Sequence, residues 1–106
     1  MPTLSVDIPV LATERLILRE PRISDFEAAA AFAASDRMHF IGGPLDRGEA
    51  WRSFAAGAGH WALKGFGMWV VEEKATEAVV GRIGLLYPEG WPEIELGWHV
   101  YDGFEG

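Results

Sequence analysis

From Met68 onward the chain reads as three consecutive strand-length runs whose connections are too short to hold a helix. Met68-Trp69-Val70-Val71-Glu72-Glu73 is rich in β-formers, Lys74 to Ala78 is a short polar link, and Val79 to Leu86 pairs back on the first run. Tyr87-Pro88-Glu89-Gly90-Trp91-Pro92 is the next turn, and Glu93 to Val100 is the third run. Strands joined this closely are antiparallel neighbours, because a parallel pair needs a crossover of roughly a dozen residues or more. The second half of the chain is therefore expected to be a three-stranded meander.

The first half has a different rhythm. Thr13-Glu14-Arg15-Leu16-Ile17-Leu18-Arg19-Glu20 alternates like a strand, with Leu16 and Leu18 on one face, Arg15 and Arg19 on the other, and Pro21 closing it. Ser24-Asp25-Phe26-Glu27 fits a capping box and predicts a helix of about three turns reaching near Ser35. Met38 to Pro44 carries two glycines and a proline and reads as an unusually apolar loop. A second helix is expected from Asp46, with Trp51, Phe54, Ala55, Ala58, Trp61 and Ala62 along its apolar stripe, until Gly65-Phe66-Gly67 ends it. The order is β-α-α-β-β-β, an α+β fold with a mostly antiparallel sheet and helices packed on it. One domain over residues 1–106 suffices, with no repeat or linker in it.

Composition narrows the function classes. Sixteen acidic against nine basic residues give a net charge of −7, which repels phosphate backbones and argues against nucleic-acid partners. The absence of cysteine excludes disulfides, thiol nucleophiles and Cys-ligated zinc. His39, His60 and His99 are widely separated and show no metal-ligand spacing, so no metal is expected. Without a basic leader followed by an apolar stretch, and with no run of membrane-spanning length, the expectation is a cytoplasmic protein away from the membrane.

The third run of the meander concentrates the candidate chemistry. Parity divides it into Ile94, Leu96, Trp98 and Val100, expected to face the core, and Glu93, Glu95, Gly97 and His99, expected to form a polar face. A carboxylate of this strand, beside Trp98 or Trp69, is a candidate general base, and ordinary solvated surface charge is the alternative. His99 stands just before Tyr101-Asp102-Gly103, where ligand contacts concentrate, or is a hydrogen-bonded packing residue.

Four segments taken together resemble the GNAT superfamily of N-acetyltransferases, in the RimJ/RimL-like branch. They are Thr13 to Arg19, Gly65 to Val71, Val80 to Leu85 and Glu93 to Val100, in that order. The resemblance spans residues 13 to 106, the N-terminal part of such a domain, and implies a chain that ends before its acetyl-CoA pyrophosphate loop is complete. It implies transfer of an acetyl group from acetyl-CoA to a primary amine, either a small molecule or a peptide N-terminus, without a metal.

On that resemblance Trp98, His99 and Val100 hold the pantetheine arm, mainly through backbone groups. Glu105 and Gly106 begin the pyrophosphate loop, with Glu standing where Gln or Arg is usual. Glu95 is the first choice for base or amine contact and Glu93 the second. Phe40, Ile41 and Gly42 line the acceptor pocket, with Tyr87 at the end of the hairpin. An alternative from another class is a non-catalytic half-fold that acts through self-association, as a homodimer, or through a partner, using an unpaired strand edge.

Overall fold

The computed structural model describes residues 5–34 and 45–101. Five strands form one sheet in simple sequential order: β1 (Leu11–Ala12), β2 (Leu16–Arg19), β3 (Met68–Glu73), β4 (Val79–Leu86) and β5 (Glu95–Val100). Every neighbouring pair is antiparallel. Helices α1 (Phe26–Ala33) and α2 (Arg47–Lys64) fall between β2 and β3 and cover one face. This is the expected α+β arrangement, with β1 added.

That first strand is two residues long, too short to stand out in the sequence. Thr13 makes the hairpin to β2: its N–H donates to the Leu16 carbonyl at 2.8 Å, and its Oγ1 accepts the Leu16 N–H at 3.0 Å. Strand β2 accordingly starts at Leu16 rather than Thr13.

The start of the first helix departs from the expected capping box. A single 3-10 turn, Ile23–Asp25, precedes α1, and the Asp25 carboxylate accepts the Arg22 N–H at 2.8 Å. Ser24 is exposed, and Glu27 is exposed and paired with Arg47 of α2. Asp25 takes the capping role because the buried Arg19 guanidinium holds its carboxylate beside the helix start.

Helix α2 begins as predicted, with the Asp46 carboxylate accepting the Glu49 N–H at 2.8 Å, and runs unbroken through Gly57 and Gly59. Its buried face is Ala50, Phe54, Gly57, His60 and Trp61. The expected stripe is thus rotated by about one residue, and Trp51 is left 45% exposed, edge-on to Phe26 at 5.1 Å. Trp51 drew the predicted stripe to its side of the helix, whereas close packing against α1 takes in the small Ala50 instead, with Ala29, Ala33 and Phe54 in the same cluster. The helix ends at Gly65, whose φ of 80° lets its N–H close on the Trp61 carbonyl at 3.0 Å.

The largest correction concerns β5. Ile94, Leu96 and Trp98 are 51%, 58% and 61% exposed, while His99 packs under α1. Parity sorts a strand into two faces but does not say which one the helices cover. Register settles the matter, because Arg19, Val70, Arg82 and His99 are successive cross-strand partners and share the helix-covered face. The opposite face carries Leu16, Leu18, Val71, Ile83, Trp98 and Val100, which line a concave surface of about 650 Å³.

Candidate active site

Strand β5 is the edge of the described sheet, and its register fixes which backbone groups are spoken for. The Tyr101 N–H donates to the Val80 carbonyl at 3.0 Å, which makes that pair a hydrogen-bonded one. Antiparallel pairs alternate, so Glu95, Gly97 and His99 also direct their N–H and C=O groups at β4. Leu96, Trp98 and Val100 direct theirs outward, off the edge. Among the described residues these donors and acceptors have no partner, and such a row at every second residue is a ready template for an extended partner that carries amide groups of its own.

Beneath that edge, β5 is held by an aromatic and cationic layer. The His99 ring stacks on Phe32 of α1 at 4.8 Å, and Tyr101 lies 5.4 Å from the same Phe32. On the neighbouring strand Arg82 is buried, with its guanidinium 5.5 Å from the centre of the Phe54 ring. Among the described residues no carboxylate forms an ion pair with it. Burial, and then the charge of Arg82, push His99 down from 6.5 to about 4. Burial pushes the Tyr101 hydroxyl up to about 12. Both rings are therefore neutral at physiological pH and serve as packing surfaces.

Further along the same face, Arg19 anchors β2 to the start of α1. Its two terminal nitrogens each donate to an Asp25 carboxylate oxygen at 2.9 Å, and its Nε donates to Glu72 of β3 at 3.0 Å. Hydrogen bonding to Asp25, first of all, raises the Arg19 pKa and keeps it charged. This buried network lies outside what alternation and propensity reveal. The one trace of it in the sequence is an arginine ending a strand with an aspartate six residues later.

The expected site residues separate into four groups. Trp98, His99 and Val100 lie on the edge strand, with Trp98 and Val100 offering backbone groups outward and His99 offering its ring inward. Glu95 opens the strand opposite Leu86, exposed and in phase with Gly97 and His99, and Glu93 is exposed just before it. Tyr87 is at the end of β4, where Lys64 Nζ sits 4.5 Å over its ring. Phe40, Ile41, Gly42, Glu105 and Gly106 lie outside the described residues. Among the described residues no cluster of three or more His, Cys, Asp or Glu side chains is arranged for a metal ion.

The profile of the acetyltransferase (GNAT) domain matches residues 15–106. This chain belongs to the GNAT acetyltransferase family. An acetyltransferase from Agrobacterium tumefaciens str. C58 has 38% sequence identity and a TM-score of 0.88, covering 100% of this chain and 62% of its own. A GNAT-family acetyltransferase from Bacillus anthracis has 20% identity and a TM-score of 0.66, covering 89% of this chain and 54% of its own. A Vibrio cholerae protein, provisionally named a ribosomal-protein-serine acetyltransferase, has 21% identity and a TM-score of 0.66, over 93% of this chain and 57% of its own. The last two likenesses concern the fold alone. This GNAT chain thus spans less than two thirds of the length of the structures it matches. No helix among the described residues is long and apolar enough to cross a membrane.

Proposed function

We propose that this GNAT domain takes part in acetyl transfer from acetyl-CoA to a primary amine, and that β5 is where the cosubstrate lies. The observation that carries the reading is the open edge: Leu96, Trp98 and Val100 turn N–H and C=O groups outward at two-residue spacing, unpaired among the described residues. A pantetheine arm bears two amides and is extended, so Trp98 and Val100 would hold it as another strand would be held. Acetyl-CoA supplies the activated thioester. The chain's own part is to hold the arm straight and to receive a proton from the incoming ammonium, a role for Glu95, with Glu93 second. Glu95 is in phase with His99, whose ring packs on Phe32 of α1, so its carboxylate belongs to the face that the helices cover. The acceptor would be a small amine or a peptide N-terminus; Phe40, Ile41 and Gly42, the residues proposed to line its pocket, lie outside the described residues. The RimJ/RimL-like branch, with a protein N-terminus as acceptor, is proposed from the four sequence segments between Thr13 and Val100. The charge of −7 suits a cationic acceptor and not a nucleic acid, and the proposed setting is the cytoplasm.

Because the chain spans 62% of the Agrobacterium relative, the 106-residue chain is proposed to be inactive or weakly active by itself. Calorimetry with acetyl-CoA tests this against a version lengthened to that relative's span. The expected result is tight binding by the long form and weak binding by the short one. In the long form Glu95→Gln should slow acetyl transfer by about a hundredfold at neutral pH, less at high pH where the amine is already deprotonated. No binding by the long form contradicts the proposal.

A second reading, a non-catalytic module that self-associates through β5, is favoured by the same open edge with Leu96 and Trp98 exposed beside it. Sedimentation that gives a monomer at every concentration counts against it.

A further inference from the structure

His60 stands near the end of α2, is buried, and has both ring nitrogens in use. Its Nδ1 is within hydrogen-bonding distance of the Phe66 carbonyl oxygen, and its Nε2 is 2.9 Å from the Tyr87 N–H. A carbonyl oxygen only accepts and a backbone N–H only donates, so the ring carries its proton on Nδ1 and a free lone pair on Nε2. The partners thus dictate one neutral tautomer. Through it the ring ties three elements together: α2, the connection from α2 into β3, and the exit from β4. The Phe66 ring, edge-on at 4.9 Å, fixes the imidazole plane.

We infer that His60 is a positioning residue for the turn between β4 and β5, and that it works as a proton-sensitive clasp. The neutral ring holds the Tyr87 N–H. A proton on Nε2 sets a donor against a donor, and the Tyr87 end of β4 is released. The charged neighbour at this corner is Lys64, one turn further along α2, whose Nζ lies over the Tyr87 ring. A second positive charge there adds repulsion and no new acceptor. The connection Phe66-Gly67 brings no titratable side chain, and the turn from β4 to β5 brings Tyr87 and the exposed Glu89 and Glu93. Release at this corner would be felt by Glu95, which begins β5 opposite Leu86, the residue before Tyr87. That last link rests on the functional reading above; the clasp does not.

The test is made on the 106-residue chain by recording imidazole nitrogen shifts and amide-exchange protection across pH. We expect the Nδ1–H tautomer at neutral pH, with the Tyr87 amide protected. Its protection factor should fall by about tenfold or more as the His60 ring resonances move to imidazolium. The Leu85 amide, which donates to the Gly67 carbonyl, should keep its protection over the same range. His60→Gln, which can accept the same N–H without titrating, should keep Tyr87 protected with no step; His60→Phe should leave it unprotected throughout. An Nε2–H tautomer at neutral pH, or Tyr87 protection that stays level while the ring titrates, overturns the proposal. Should His60→Phe fail to fold, the tautomer and the Tyr87 protection of the unmodified chain decide alone. Loss of acetyl-CoA binding would leave these readings unchanged, so the two proposals fail separately.

Discussion

The imidazole of His99 lies against the Phe32 ring, 4.8 Å between centroids and 20° from parallel, and so couples the edge strand to the first helix. Stacking of this kind suits a neutral ring, and burial together with the Arg82 charge holds the His99 pKa at about 4. In the unfolded chain the value returns to the ordinary 6.5. The unfolded state therefore binds more protons between these values, so the contribution is intact above 6.5 and is lost as pH falls toward 4. Denaturant unfolding at a series of pH values should show this loss, and His99→Phe should flatten that part of the profile while keeping the stack. An identical slope in the variant would remove His99 as the cause.

Arg19 and Asp25 form a bidentate pair with both side chains buried. Removing Asp25 strips the buried guanidinium of its bidentate partner and leaves it, among the described residues, only the ion pair of its Nε with Glu72, and breaking a buried pair in this way typically costs about 3 kcal/mol. Asp25→Ala also removes the acceptor of the Arg22 N–H. Urea unfolding of Asp25→Ala should show destabilisation of about that size. Glu27→Ala, which breaks an exposed and solvent-screened pair with Arg47, should leave the urea midpoint almost unchanged. Equal effects would mean that burial does not distinguish the two pairs.

Gly81 and Gly97 make a matched comparison across β4 and β5. A Cβ at Gly81 would stand 2.2 Å from the His99 carbonyl oxygen, whereas a Cβ at Gly97 would meet only Leu86 Cδ1 at 4.0 Å. Backbone cannot yield as a side-chain tip does, so Gly81→Ala should cost about 2 kcal/mol or more and loosen β5. Gly97→Ala should be tolerated within about 0.5 kcal/mol. Thermal unfolding of the two variants checks this, and a tolerated Gly81→Ala would contradict the close approach of the strands.

How far the sequence carried the reading can be judged from particular residues. Asp46 and Glu49 placed the start of α2, and Gly65 its end, because caps are local chemistry written in consecutive residues. The meander was legible for the same reason. Which face of β5 is covered was not, because Leu96 and Trp98 look like core in any one-dimensional pattern while His99 does not. That choice depends on where α1 lands, a contact between residues more than sixty positions apart. Arg19 with Asp25, and His60 with Tyr87, escaped for a related reason: a buried polar side chain is identified by its partners, and partners are tertiary.

The central claim is that the outer edge of β5 receives the acetyl-CoA arm through the backbone of Trp98 and Val100. Its most direct measurement is a titration of the isotopically labelled chain with acetyl-CoA up to millimolar concentration, following backbone amide resonances. The account predicts that the Leu96, Trp98 and Val100 amides, which face outward, shift first and most, while those of Gly97 and His99, engaged by β4, move far less. Shifts of equal size along the whole strand, or shifts centred on another element with β5 unmoved, would contradict it.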